Sequence, residues 1–355
     1  MEDFVPHNLS RRQCTSVVAR IYDLTGKLAP ITLKFKDGLR KLIDENPSWD
    51  DPVSPRQRLL WIENFRIIQN VKDIIYIRCT IPKNATSLKA RIYILCDAAD
   101  GGVMVGVYAG FPLPDGSWSC NNLLGKGLLV PDSWTIPKKE LHALSTASNV
   151  KAVVDRALEG WIQQVYVAGD SEIALAWTIY ENVKLNVFHR HRVNNIRSKV
   201  SLEELHHVLG PENPTDCGTR PSQVTTESVL PGSEWLSGKA WMRWPYDKAL
   251  EKGIIKSVKS IKLSNDEKKV LKEGIVFDAF DSDVNNVATA VINTIDVQKV
   301  AEREAFSNYI YPPLKRSFRS FVRIISILFR AVKSFKIGMI QARIRSGKSD
   351  PLELE

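Results

Sequence analysis

The chain has 355 residues, of which 44% are hydrophobic and 25% charged, as is usual for a folded protein of two or three domains. Its net charge of +9 lies in one segment, because residues 305–349 hold ten Lys and Arg and no acid, and subtracting them leaves −1. Five scattered cysteines form no C-x-x-C pair, which argues against structural zinc. No signal-like N-terminus and no long apolar run is present, so we expect a cytosolic or nuclear protein.

Residues 1–88 have the pattern of a helical segment. Ser10 is a good N-cap for a helix that carries Val17 and Ile21, and Pro30 can begin a second helix. Residues 56–68 repeat apolar side chains at helical spacing, which predicts a third helix.

Residues 89–228 have the pattern of an α/β domain. Apolar runs rich in β-branched and aromatic residues predict strands, and Gly-containing turns join the first three into an antiparallel meander. Helical patterns separate the later runs. The sequence predicts a mixed five-stranded sheet with flanking helices, with strands at 91–98, 103–111, 118–130, 163–169 and 205–210.

Residues 229–304 are Trp-rich and then weakly periodic. We expect their tryptophans to pack against the preceding domain rather than to stack on bases. Ser264 and Glu267 have the spacing of a capping box, which predicts a short helix there.

Four acidic residues stand where strands end or helices begin: Asp97 in the first strand, Glu140 in the first turn of a helix, Asp170 as a helix N-cap, and Asp216 in another first turn. A sheet that gathers them would need cations, because each ionised carboxylate raises the pKa of its neighbours. Two hard divalent ions in such a cluster are suited to phosphodiester cleavage. The alternative is that each acid only caps a helix.

The contexts of these acids resemble the ribonuclease H domain of retroelement polyproteins. GDSEIAL (169–175) is similar to that family's T-D-S-x-x-A-L step, with Gly169 in place of Thr, and HHVLGPENPTDCGTR (206–220) continues the likeness. Residues 9–30 and 48–52 resemble the segment after the reverse-transcriptase palm in BEL/Pao LTR retrotransposons, and 306–330 the stretch before the integrase. Such regions often carry a peptidase name, but Y-x-D-D and D-[ST]-G motifs are both absent, so we expect neither polymerase nor aspartic peptidase activity.

The resemblance implies a magnesium-dependent endonuclease that cuts the RNA strand of RNA–DNA hybrids. It implies two Mg²⁺ ions, with Mn²⁺ as a substitute, held by the catalytic residues Asp97, Glu140, Asp170 and Asp216. Ser171 is expected to contact the nucleic-acid backbone or to steady Asp170. The alternative is a catalytically inactive nucleic-acid-binding remnant or a domesticated retroelement protein.

The same resemblance leads to an expectation for two histidines. Related enzymes place a histidine in the loop after the last strand to aid product release, whereas His206 and His207 are expected within the strand. We therefore expect no such role for them, and slow turnover.

The resemblance also implies four regions: a reverse-transcriptase thumb- or connection-like segment (1–88), a ribonuclease H-like domain (89–228), a Trp-rich region (229–304) and a pre-integrase, linker-like basic tail (305–355). The expected partners are the polymerase and integrase parts of the same polyprotein. In the tail, apolar residues at helical spacing lie on one side of a predicted helix and basic residues on the other, a pattern that suits nucleic-acid phosphate, domain docking or an anionic membrane surface. The resemblance of the neighbouring segments to a polyprotein favours nucleic acid or domain docking. The basic residues are Arg316, Arg319, Arg323, Arg330 and Lys333.

Overall fold

The computed structural model describes residues 5–46, 48–76, 79–180, 184–261 and 263–275. The basic tail, with its predicted nucleic-acid contacts, lies outside these residues. None of the described helices is both long enough and apolar enough to cross a bilayer. The described helices are α1 (Arg11–Ala19), α2 (Ala29–Glu45), α3 (Pro55–Val71), α4 (Ile136–Ala157), α5 (Glu172–Ile179), α6 (Val187–Arg197), α7 (Asp216–Thr219), α8 (Glu234–Ser237), α9 (Tyr246–Glu251) and α10 (Asn265–Leu271).

The described strands form one sheet in the order β3-β2-β1-β4-β5-β6, with β1–β2, β2–β3 and β5–β6 antiparallel and the other two pairs parallel. Each of the five predicted strands forms, but the predicted count is wrong because β6 adds a sixth. This strand has three residues and one buried apolar side chain, too short for a periodic signal. The strands are β1 (Ala90–Ala99), β2 (Gly102–Gly110), β3 (Asn121–Leu128), β4 (Ile162–Gly169), β5 (Leu205–Val208) and β6 (Ile255–Ser257).

Strand β1 is buried on both faces, and its alternate residues enter different cores. Ile92 and Ile94 belong to the core under α4 and α5, while Tyr93 and Leu95 face the side that Trp241 covers. A strand that is covered on both faces has a continuous run of apolar residues, which explains why β1 could be predicted from the sequence.

The three N-terminal helices form where the sequence predicts them. The backbone N–H of Ser10 donates to Gln13 Oε1 at 2.9 Å, and Pro30 is in the first turn of α2. Leu33 and Phe35 of α2 share a core with Met104 of β2, so this segment covers one face of the sheet at the β2–β3 side.

The segment after residue 229 packs on the same face of the sheet. Trp235 is fully buried and donates its indole N–H to the carbonyl of Lys27 at 2.9 Å, and Trp241 is 2% exposed. The predicted packing role of these two tryptophans is therefore confirmed. The capping box at Ser264 is present, and α10 follows it.

Candidate active site

The carboxyl ends of two parallel strands bring Asp97 and Asp170 to one edge of the sheet. Leu95 of β1 pairs with Ala168 of β4, so the two aspartates lie at the same level, two residues further on. Asp97 is the third residue from the end of β1 and is 6% exposed, while Asp170 directly follows β4. Together with Glu140 they line one narrow cleft.

Glu140 reaches this cleft from α4. The helix begins at Ile136, so Glu140 lies just beyond the first turn, and the predicted position within the first turn is wrong by one residue. Its Oε2 accepts a hydrogen bond from Ser171 Oγ at 2.5 Å. Ser171 thus holds Glu140, whereas the predicted roles were to steady Asp170 or to contact nucleic acid.

Ser171 is also the N-cap of α5, so the prediction of Asp170 as the cap is wrong. Its Oγ accepts the backbone N–H of Ala174 at 3.2 Å. Asp and Ser are both strong N-cap residues, and the sequence alone cannot rank two neighbours of this kind. Because Ser171 caps the helix, the carboxylate of Asp170 is free to line the cleft.

The fourth acid, Asp216, is the first residue of α7 and so lies in the first turn of a helix, as predicted. The hydroxyl of Thr219, at the end of this helix, donates to Asp97 Oδ2. Arg220 follows, and its guanidinium lies 2.9 Å from Asp216 Oδ1. Helix α7 therefore carries Asp216 as its first residue and, as its last residue, the threonine that donates a hydrogen bond to Asp97.

The electrostatics show that the four acids form one group. Burial, followed by repulsion from Asp97 and Glu140, raises the pKa of Asp170 to about 7. Burial is also the main cause of the raised pKa of Glu140, to which Asp97 adds, and of Asp97, to which Asp216 adds. Asp97 is thus coupled to each of the other three.

The two histidines of β5 lie inside the strand, as predicted. The imidazole Nε2 of His207 is 3.0 Å from the carbonyl of Asp170, and that of His206 is 2.5 Å from the hydroxyl of Tyr246. Burial lowers the pKa of both. Both rings have protein partners inside the fold, in keeping with a structural role.

The donor set fits a divalent cation by its chemistry, since carboxylate oxygens under mutual repulsion are the ligands that Mg²⁺ prefers. Its geometry is not preassembled: among the described residues, no three acidic, histidine or cysteine side chains converge at ligand spacing. Three of the carboxylates are held by protein donors instead, Glu140 by Ser171, Asp97 by Thr219 and Asp216 by Arg220.

Sequence reasoning missed Thr219 and Arg220. The contact of Thr219 with Asp97 joins residues 122 positions apart, which no local pattern reveals. Arg220 did have a signal, because an acid and a base four residues apart pair on a helix. The i, i+4 spacing of Asp216 and Arg220 could have identified the ion pair.

A mixed sheet with helices on its faces, and acids at the carboxyl ends of its central strands, is consistent with a ribonuclease H-like α/β domain. Residues 10–171 match the family described as Pao retrotransposon-like RNaseH-like domain. These residues are therefore similar to a ribonuclease H-like region of the Pao retrotransposon type, over slightly less than half of the chain. This match includes Asp97, Glu140 and Asp170 but not Asp216. No curated protein and no solved structure matches the chain.

Proposed function

We propose that this protein is a magnesium-dependent endonuclease that cleaves the RNA strand of RNA–DNA hybrids, as part of a BEL/Pao-type polyprotein. The observation that carries the proposal is the position of Asp97, Glu140 and Asp170 in one narrow cleft at the edge of the sheet, with Asp216 near enough to raise the pKa of Asp97. The similarity of residues 10–171 to a ribonuclease H-like domain supports the proposal.

The carboxylates would hold two magnesium ions, which lower the pKa of an attacking water and stabilise the leaving 3′-oxygen. Asp97 would be one of the residues that hold the ions, because its charge raises the pKa of Glu140 and Asp170 and is itself opposed by Asp216. Ser171 and Thr219 orient Glu140 and Asp97 by donating to them. Recognition of RNA through its 2′-hydroxyls in a wide minor groove would supply the selectivity for hybrids.

The second candidate is a nucleic-acid-binding remnant without activity. It is favoured by one observation: in the described residues the carboxylates are held by a serine, a threonine and an arginine and do not converge. An acidic cluster without cations would remain compatible with the fold, because these donors offset part of the repulsion.

One assay separates the two candidates. The purified chain is incubated with a hybrid labelled on its RNA strand, with and without Mg²⁺, beside an Asp97→Asn variant that keeps size and burial. We expect Mg²⁺-dependent cleavage by the wild type alone. Cleavage by both proteins, or by neither, contradicts the proposed function, and salt-sensitive binding without cleavage supports the remnant.

A matched control tests whether loss of any carboxylate has the same effect. Asp50 lies in the N-terminal segment and is 2.6 Å from Arg12, in an exposed ion pair. Asp50→Asn should cleave the hybrid at the rate of the wild type.

A further inference from the structure

Arg220 provides a positive charge beside Asp216, the one of the four site acids that does not line the cleft. Its guanidinium lies 2.9 Å from Asp216 Oδ1, and the two side chains are 53% and 34% exposed. Among the described residues, no other of the four site carboxylates makes an ion pair. The cation therefore pairs with an acid that is 34% exposed, whereas Asp97 is buried and Glu140 and Asp170 are partly buried.

The backbone around Arg220 is held in place on both sides. Gly101, in the turn after β1, lies so close that a Cβ there would be 2.7 Å from the Thr219 carbonyl oxygen and 2.3 Å from Pro221 Cδ. The Thr219 hydroxyl donates to Asp97. The backbone at Arg220 is thus held in place, whereas the half-exposed side chain can move its guanidinium into solvent.

The charge of Arg220 acts on more than its direct partner. The guanidinium opposes the rise in the pKa of Asp97 that burial and Asp216 cause. It therefore partly neutralises two of the four carboxylates, which is the effect that a bound divalent ion would have on them.

We propose that Arg220 is a built-in counter-cation: it holds Asp216 while the cleft is free of metal, and a divalent ion must displace it in order to bind there. This inference rests on the metal site of the proposed function. Arg220 is then a positioning residue that keeps the carboxylates stable without metal and, in return, weakens the binding of the ion.

The direct test is the affinity for Mg²⁺ and Mn²⁺, measured by calorimetry on the wild type, Arg220→Gln and Arg220→Lys. Removal of the charge should tighten binding about three- to tenfold, because an ion pair no longer has to break and a repulsion is lost. Arg220→Lys retains the charge and should bind the ions nearly as the wild type does. Equal tightening in both variants would show that charge is not the cause and would overturn the proposal.

A matched exposed pair controls for the general effect of removing an arginine. Arg12 is 58% exposed and pairs with Asp50 at 2.6 Å in the N-terminal segment. Arg12→Gln should leave the metal affinity unchanged. A tightening in Arg12→Gln equal to that in Arg220→Gln contradicts a local role for Arg220.

A measurement on the wild type keeps the proposal testable if Arg220→Gln does not fold. The side-chain Nε–H resonance of Arg220, identified by its absence in Arg220→Lys, should shift during a Mg²⁺ titration with the affinity found by calorimetry. A resonance that does not move while the ion binds overturns the proposal.

The outcomes distinguish this inference from the proposed function. Absence of divalent-ion binding in the wild type and in every variant overturns the metal site itself, and the inference with it. Binding to the wild type with an unchanged affinity in Arg220→Gln overturns the inference alone.

Discussion

Ser171 has two roles at the level of single residues, because one hydroxyl caps α5 and holds Glu140. Ser54 offers a matched comparison, since its hydroxyl accepts only the backbone N–H of Gln57, at the start of α3. Loss of a cap costs about 1 kcal/mol, and a hydrogen bond to a carboxylate adds about 1 kcal/mol more. Ser171→Ala should therefore lower the free energy of unfolding about twice as much as Ser54→Ala, as measured by urea denaturation.

The hydroxyl itself is tested by a conservative change. Ser171→Thr keeps both hydrogen bonds and should remain within about 0.5 kcal/mol of the wild type. Equal losses in Ser171→Ala and Ser54→Ala would contradict a stabilising bond between Ser171 and Glu140.

We expect the free energy of unfolding to depend on pH because of His189. Its side chain is fully buried against Trp177, and burial lowers its pKa to about 4. Its Nδ1 lies 2.8 Å from Asn186 Oδ1, while its Nε2 has no partner among the described residues. A depressed folded-state pKa means that the unfolded chain binds the proton first, so this stability is present above the unfolded pKa of about 6.5 and is lost as the pH falls towards 4.

The loss attributable to His189 is about 3 kcal/mol at most. Urea denaturation between pH 7 and pH 4.5 should show a shallower decline in His189→Gln than in the wild type. His191, which is exposed on the same helix, supplies the control, and His191→Gln should follow the wild type. Parallel declines in all three proteins would refute the assignment to His189.

The contact between the N-terminal segment and β3 is a close approach of two glycines. A Cβ on Gly125 would lie 2.2 Å from the carbonyl oxygen of Gly26 and 2.4 Å from Trp235 Cζ2. Gly125→Ala must push these groups apart, and overpacking of this kind costs about 2 kcal/mol. Thermal denaturation should show a lower melting temperature.

Substitution of Gly38, in helix α2, is expected to stabilise the protein instead. A Cβ there would meet Trp61 Cζ2 at 3.6 Å, an ordinary contact, within the interior of α2. Gly38→Ala should raise the free energy of unfolding by about 0.5–1 kcal/mol, because alanine loses less backbone entropy. Destabilisation by Gly38→Ala would contradict the packing described for Gly38, and an unchanged melting temperature in Gly125→Ala would contradict the close approach at Gly125.

The elements themselves were largely predictable, and the exceptions have physical causes. Strands β1, β2 and β4 are apolar runs buried on both faces or nearly so, which makes them visible without structure. Strand β6 has only three residues and was missed. The four acids were found because strand ends and helix starts are local features, whereas the donors that hold them come mostly from distant segments.

At the scale of the whole molecule, residues before and after the predicted domain boundary at 228 share one continuous hydrophobic core. Met242 and Ile255 are buried with Tyr93 and Tyr166 of the central strands, and β6 pairs with the edge of β5. A fragment of residues 89–228 would expose this face and an unpaired strand edge, which favours aggregation. We expect residues 5–275 to give a cooperative unfolding transition and residues 89–228 to give none.

One outcome would contradict this expectation about the two fragments. Cooperative unfolding of residues 89–228, with a stability near that of residues 5–275, would show that the later segment is not required. The measurement is calorimetry on both proteins at one concentration, with size-exclusion chromatography to detect aggregates.

The most direct test of the proposed nuclease is the chemistry of its product ends. Attack by water with loss of the 3′-oxygen leaves a 3′-hydroxyl and a 5′-phosphate, whereas metal-free ribonucleases that use the 2′-hydroxyl leave a cyclic phosphate. We predict that the wild type with Mg²⁺ gives 3′-hydroxyl and 5′-phosphate ends on the RNA strand of a hybrid, and that Asp97→Asn gives no product. Cyclic phosphate ends, or equal cleavage by Asp97→Asn, would contradict catalysis at this site.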